Sequence, residues 1–128
     1  MGERTVLFVC QHGAGKSRMA AAWFNQGPPA GWRATTAGVE PQAQVSVHAP
    51  RLLAGSAAEA TLDDAVPRPV SAVADPALVI AIDCVVPGAV EWTLDASEFD
   101  GVMCEEIRER VRELTASLHA RAAAAPHP

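Results

Sequence analysis

Two apolar runs interrupt an otherwise mixed chain and predict two buried strands. They cover residues 5–10 and 77–84. Apolar runs of this length are typical of parallel strands covered on both faces, since no alternate position has to face water. Two shorter segments, 32–36 and 90–94, predict one strand between these runs and a last strand after them.

Stretches with helical patterning separate and follow these strands. The predicted helices are residues 17–26, 51–60 (with Pro50 at the first turn), a short one at 70–75, and 98–119. Apolar side chains recur along the last helix at helical spacing: Phe99, Met103, Ile107, Val111, Leu114 and Leu118. Strands that alternate with helices predict an α/β fold with a parallel sheet.

Composition narrows the class of protein. The 128 residues are 49% apolar and 20% charged, which predicts one globular domain over residues 1–128 with a frayed tail at 121–128. A net charge of −5 argues against nucleic-acid and membrane partners. Three cysteines without a zinc spacing, and no signal or membrane segment, predict a reduced, cytoplasmic thiol protein without a metal.

The segment from Cys10 to Ser17 carries the candidate chemistry. It reads Cys-Gln-His-Gly-Ala-Gly-Lys-Ser and joins a predicted strand to a predicted helix. In such a loop, successive backbone N–H groups and a helix N-terminus converge on an anion. The same surroundings favour the thiolate form of a cysteine. The segment therefore predicts an oxyanion site with a sulfur nucleophile.

Two known loop patterns each differ from this segment at one position. The nucleotide-binding pattern Gly-x4-Gly-Lys-Ser/Thr fits at Gly15, Lys16 and Ser17 but requires glycine where Cys10 stands. The Cys-x5-Arg-Ser/Thr loop of thiol phosphatases fits throughout except that Lys16 replaces arginine. A chain of 128 residues is also short for a nucleotide hydrolase.

The residues around the loop favour the second pattern. "VLFVC" at residues 6–10, "HGAGKS" at 12–17, "MAAAWF" at 19–24 and "TAGVEP" at 36–41 together resemble the low-molecular-weight protein tyrosine phosphatase and arsenate reductase family. The resemblance covers roughly residues 5–118. It implies an α/β fold with a four-stranded parallel sheet in the order 2-1-3-4, helices on both faces, and Cys10 at the crevice.

The resemblance also implies roles for the loop residues. Cys10 is the nucleophile, Ser17 donates a hydrogen bond to its sulfur, and Lys16 occupies the position of an oxyanion-binding arginine. Because lysine cannot contact two oxygens as an arginine fork does, weaker transition-state binding is expected. Arg18, about 200° from Lys16 around a helix, is not expected to reach the anion. The oxyanion-binding groups are the backbone N–H groups of Gln11, His12, Gly13, Ala14, Gly15, Lys16 and Ser17.

A general acid and a second thiol are less well marked. The family carries an Asp-Pro pair after its last strand; here Asp95 is the candidate acid, without the proline. Cys84 follows the third strand and is a possible resolving thiol, but the relay position seven residues later is Glu91. The resemblance therefore implies no cofactor, with an external thiol as reductant if the protein reduces arsenate. Cys104 is expected to pack in the core.

Several functions stay open at this point. The protein is either a thiol enzyme acting on phosphate esters or arsenate, or a weakened pseudo-phosphatase that binds phosphate or a phosphorylated partner. An aromatic wall for a phosphotyrosine substrate has to come from Trp92 or Phe99, since the chain has no tyrosine.

Overall fold

The computed structural model describes residues 3–44 and 46–124. Four parallel strands form one sheet in the order β2-β1-β3-β4, which confirms the predicted topology. The strands are β1 (Arg4–Cys10), β2 (Trp32–Gly38), β3 (Leu78–Ile82) and β4 (Val90–Trp92), and the α-helices are α1 (Lys16–Gln26), α2 (His48–Leu53) and α3 (Gly101–Ala124). Strand β1 is central, so its carboxyl end opens beside both neighbours.

The two faces of the sheet bury different amounts of apolar surface. Alternate side chains of β1, Val6 and Phe8, belong to the main core with α1 and α3. The intervening Leu7 and Val9 belong to a smaller cluster on the other face. That smaller face is covered by the segment around a short 3₁₀ helix, Val70–Ala72, where the sequence predicted a helix over 70–75.

Helix α3 closes the main core and confirms the predicted apolar stripe. Met103, Ile107, Val111 and Leu118 are buried. The helix begins at Gly101, later than predicted, because Asp100 Oδ1 accepts hydrogen bonds from the N–H groups of Val102 and Met103 at 3.0 and 3.3 Å. It continues to Ala124, into the tail that was expected to fray, and residues 125–128 lie outside the described residues.

Helix α2 differs most from its prediction. The sequence predicted a helix over 51–60, but α2 spans His48–Leu53 and is followed by turns and a 3₁₀ helix at Glu59–Thr61. Gly55 has φ of +79°, and the Ser56 hydroxyl donates to the Leu53 carbonyl at 2.7 Å. A left-handed glycine and a serine turn after Leu53 end the helix. No helix of the described residues is long and apolar enough to cross a membrane.

Candidate active site

The loop between β1 and α1 is held in place through its carbonyl groups. All six carbonyl oxygens of residues 10–15 accept hydrogen bonds, at 2.7 to 3.3 Å. The donors are, in order, the backbone N–H groups of Val39, Glu40 and Gln42, the Arg18 side chain, and the backbone N–H groups of Ser46 and Met19. Four of the six donors come from the segment after β2, so that segment fixes the direction of the loop's peptide groups.

Fixing the carbonyls also directs the N–H groups. In a planar trans peptide the N–H points opposite to the carbonyl, so outward carbonyls at 10–15 turn the N–H groups of 11–16 inward. Within the described part of the chain, the backbone N–H groups of residues 11–17 have no hydrogen-bond acceptor. Converging free N–H groups at the start of an eleven-residue helix form a concave anion site.

Two glycines allow the loop to sit this close to β2. Gly13 has φ of +65°, and a Cβ built on it would lie 2.7 Å from the backbone nitrogen of Gly38. A Cβ on Gly38 would lie 2.6 Å from the backbone of the loop. The "TAGVEP" segment therefore packs backbone against backbone on the loop, a contact that only glycine at both positions permits.

Cys10 and Ser17 meet at the base of this loop. The Cys10 sulfur and the Ser17 hydroxyl oxygen lie 3.2 Å apart, and both residues are buried. A hydroxyl at this distance can donate to a thiolate and stabilise its charge. The predicted pairing of Cys10 with Ser17 is thus formed in the folded chain.

A cavity of about 240 Å³ opens above Cys10. Its lining residues are Cys10, Gln11, His12, Ala14, Gly15, Lys16, Gln42, Ser46, Ile82, Asp83 and Phe99. Phe99 forms an aromatic wall over Gly15, where an added Cβ would clash with the ring, and Phe99 packs beside His48. Trp92 instead packs against Phe8 in the core. The volume is below the roughly 300–1,000 Å³ of drug-sized ligand pockets, so the cavity suits a small oxyanion.

Lys16 is paired with a carboxylate inside this cavity. Its Nζ donates to Asp83 Oδ2 at 2.7 Å, and the two side chains are 27% and 24% exposed. Asp83 Oδ1 accepts from the Leu94 N–H at 2.9 Å. The lysine is therefore at the site as predicted, but its charge is balanced by an acid that the sequence did not mark.

Arg18 supports the loop from the side away from the cavity. It is 1% exposed, and it donates to the carbonyl oxygens of Gly13 at 2.9 Å and Asp63 at 2.8 Å. The pKa of Arg18 lies below its ordinary value because the guanidinium is buried, and the nearby Asp63 carboxylate offsets part of this decrease. The prediction that Arg18 would not line the anion site agrees with this geometry, but its role as a brace was missed.

Asp95, the predicted general acid, is exposed and does not line the cavity. The backbone N–H groups of Asp95 and Ala96 donate to the Glu106 carboxylate of α3 at 2.7 and 2.9 Å. Burial raises the pKa of Glu106, but these N–H donors and Arg110 outweigh it and leave the pKa below its usual range. The segment carrying Asp95 is thus tied to α3, and the cavity receives Asp83 instead.

Cys84 is half-buried on the smaller face of the sheet. Its sulfur lies 3.5 Å from the Val9 carbonyl, with the cluster around Leu7, and it does not line the cavity. Burial raises the pKa of the Cys84 thiol, and the neighbouring Cys10 raises it further. Cys104 is buried in the main core, as expected.

The acid that sequence reasoning missed stands one residue before the cysteine that it singled out. Asp83 directly follows β3 at the carboxyl edge of the sheet, which is where site residues of such folds collect. Its φ of +51° turns the chain out of the strand, so position 83 lines the cavity while position 84 packs on the other face. The signal that the sequence offered was a single charged residue near the carboxyl end of the apolar run 77–84.

No cluster of His, Cys, Asp or Glu in the described ranges could hold a metal ion. The charged and reactive groups that line the cavity include the Cys10 thiol, the His12 imidazole, the Lys16 ammonium and the Asp83 carboxylate, beside the backbone N–H groups of the loop. Of the predicted residues, the structure brings together Cys10, the loop, Lys16 and Ser17, and it leaves Asp95 and Cys84 outside the cavity.

Comparison with solved structures shows what this chain is similar to. An arsenate reductase from Archaeoglobus fulgidus is 32% identical with a TM-score of 0.70, covering 87% of this chain and 98% of that one. A thioredoxin-dependent arsenate reductase from Corynebacterium glutamicum is 26% identical with a TM-score of 0.72, covering 93% of this chain and 63% of that one. A low-molecular-weight protein tyrosine phosphatase from T. tengcongensis, 19% identical with a TM-score of 0.66, shares the fold, covering 90% of this chain and 99% of that one. Searches against family models and against curated sequences found no match.

Proposed function

Because the chain belongs to the family of low-molecular-weight protein tyrosine phosphatases and arsenate reductases, and is an enzyme of that family, we propose that it reduces arsenate with an external thiol. The observation that carries the proposal is the cavity above Cys10. Its volume of about 240 Å³ suits an inorganic oxyanion, and the N–H groups of the loop turn inward beside a sulfur nucleophile.

The first step joins the sulfur of Cys10 to arsenic. The thiolate attacks arsenate while an arsenate oxygen leaves as water, taking one proton already on the substrate and one from solvent. The loop N–H groups hold the remaining oxygens and stabilise the charge that builds up on them. The Ser17 hydroxyl, 3.2 Å from the sulfur, stabilises the thiolate before attack.

The second step uses a thiol from solution. An external thiolate attacks the Cys10 sulfur, the electron pair of the S–As bond stays on arsenic, and arsenite leaves. Arsenic gains two electrons, and the two thiols become a mixed disulfide that a second external thiol reduces. An external thiol is proposed because Cys84 packs on the other face of the sheet and position 91 is the exposed Glu91.

A phosphatase is the second candidate, favoured by the aromatic wall at Phe99. Hydrolysis of a phosphate ester requires an acid to protonate the departing oxygen. Asp95 is the proposed acid for this reaction, and its segment has to move toward the cavity to supply the proton. Asp83 is less suited to it, because both of its oxygens already accept hydrogen bonds.

Product analysis separates the candidates. Purified protein is incubated with arsenate and a small thiol, or with p-nitrophenyl phosphate, beside a Cys10→Ser variant. We expect arsenite and oxidised thiol from the first mixture and neither from the variant. Hydrolysis of the ester without arsenite would replace the proposal with the phosphatase. Stabilisation by phosphate without turnover of either substrate would make the protein a phosphate-binding module.

A further inference from the structure

We propose that Asp83 is a specificity-determining residue that selects oxyanions still carrying a proton. The inference rests on the proposed oxyanion site and concerns which anions that site accepts. Asp83 lines the same cavity as Cys10, His12 and Lys16. Among the lining residues in the described part of the chain, it is the one that carries a carboxylate.

Three hydrogen bonds hold Asp83 in position, one through its backbone and two through its carboxylate. Its backbone N–H donates to the Trp92 carbonyl at 2.9 Å, its Oδ1 accepts from the Leu94 N–H at 2.9 Å, and its Oδ2 accepts from Lys16 at 2.7 Å. Asp83 therefore enters the reaction as an oriented carboxylate that accepts hydrogen bonds.

An ionised carboxylate has no proton to donate. A substrate oxygen that approaches it must bring its own proton, or the two oxygens repel each other. Arsenate and inorganic phosphate keep a proton on one oxygen near neutral pH, whereas sulfate does not, and phosphate monoesters lose theirs around pH 6. Asp83 therefore favours inorganic arsenate and phosphate over sulfate and over monoesters.

The Lys16–Asp83 pair strengthens this discrimination. The loop N–H groups and Lys16 attract any oxyanion, so positive charge alone would not separate phosphate from sulfate. With Lys16 balanced by Asp83 at 2.7 Å, the attraction to a dianion is reduced and the hydrogen bond to the protonated oxygen decides between ligands. Selection thus comes from one acceptor placed among donors.

The test is the protection of Cys10 from alkylation by phosphate and by sulfate. At slightly alkaline pH both are dianions, and they differ in the single proton on phosphate. Asp83→Asn is the informative variant because asparagine tolerates the φ of +51° and places an N–H₂ donor where a carboxylate oxygen stood. Asp75→Asn is the matched control: Asp75 is exposed, has φ of +45°, and precedes β3 at the opposite end of the strand.

The measured quantity is the ratio of half-protecting concentrations, sulfate over phosphate. We expect a ratio of about ten or more for the native protein and for Asp75→Asn, falling about tenfold in Asp83→Asn, since a hydrogen bond to a charged group is of that size. Loss of a negative charge alone would strengthen both dianions equally and leave the ratio unchanged. If Asp83→Asn does not fold, Asp83→Gly serves, because glycine also adopts this φ.

An unchanged ratio in both position-83 variants, or equal protection of the native protein by both anions, would overturn the inference. If arsenate is still reduced in that case, the proposed function survives without it. If the ratio behaves as expected but arsenate is not consumed, the proposed function fails and the selectivity stands. If neither anion protects the native protein, both are rejected.

Discussion

Replacing Arg18 tests whether the oxyanion loop depends on a buried brace. Arg18→Met keeps most of the side-chain volume and removes donors to the carbonyl oxygens of Gly13 and Asp63 at 2.9 and 2.8 Å. Two hydrogen bonds from a charged donor are together worth about 3–6 kcal/mol. Relief of the buried charge, whose Nη2 has no partner among the described residues, offsets part of this. We expect the free energy of unfolding to fall by about 2–4 kcal/mol.

Urea unfolding followed by tryptophan fluorescence measures this change. Arg33→Met is the matched control, because Arg33 and its partner Glu3 lie 3.6 Å apart and are 61% and 59% exposed. An exposed ion pair of this kind is expected to contribute less than about 1 kcal/mol. A loss in Arg18→Met no larger than in the control would refute the role of Arg18 as a brace. Faster alkylation of Cys10 in folded Arg18→Met would connect the brace to the site.

Three further predictions concern residues that support the loop, hold the segment before α3, or lie near the cavity. Gly38→Ala is expected to lower the free energy of unfolding by about 1–3 kcal/mol, because its Cβ would meet loop backbone at 2.6 Å. Gly101→Ala, with nothing within 4 Å, is expected to show no loss in the same urea experiment. Glu106→Gln is expected to lower the free energy of unfolding by about 1–2 kcal/mol at neutral pH, because two backbone N–H groups donate to the Glu106 carboxylate. The control Glu109→Gln, at an exposed position, is expected to change it by almost nothing. The pKa of Glu106 is lower in the folded protein than its ordinary value of about 4.3, so Glu106 contributes to the free energy of unfolding above about pH 4.3. This contribution is lost as the pH falls through the lower pKa of the folded state. The unfolding curves of the native and Glu106→Gln proteins should therefore converge in acid. With Cys10 and Cys104 changed to Ser, burial still raises the pKa of Cys84, so this thiol is expected to alkylate slowly at neutral pH and faster only above about 8.5. Rapid alkylation at neutral pH would contradict this.

The sequence predicted the frame of the molecule because its signals are local. Strand β1 is apolar from Val6 to Cys10, strand β3 is apolar over its whole length, and the stripe of α3 repeats at helical spacing, so these elements could be predicted from the sequence pattern. The order of the strands came from the family resemblance. Helix α2 was overextended because propensity over 51–60 favoured a helix, while the left-handed backbone at Gly55 ends it.

The site was predicted where it is contiguous in sequence and missed where it is assembled from distant segments. Cys10 and Ser17 belong to one loop, and their contact follows from that loop. The partner of Lys16 lies 67 residues away, and no local pattern marks it. Asp95 was chosen from its place after the last strand, but the bonds from its segment to Glu106 depend on where α3 packs.

Lys16 and Asp83 form one ion pair in the site, so the effect of each residue on anion binding depends on the other. An arginine at position 16 would present a rigid fork suited to two oxygens of one anion, and a carboxylate 2.7 Å away would compete for that fork. A lysine presents one compact charge that can stay on Asp83 while the loop N–H groups hold the oxyanion. A site that binds less tightly through charge can still select among oxyanions by their protons, and such selection agrees with the proposed reduction of inorganic arsenate.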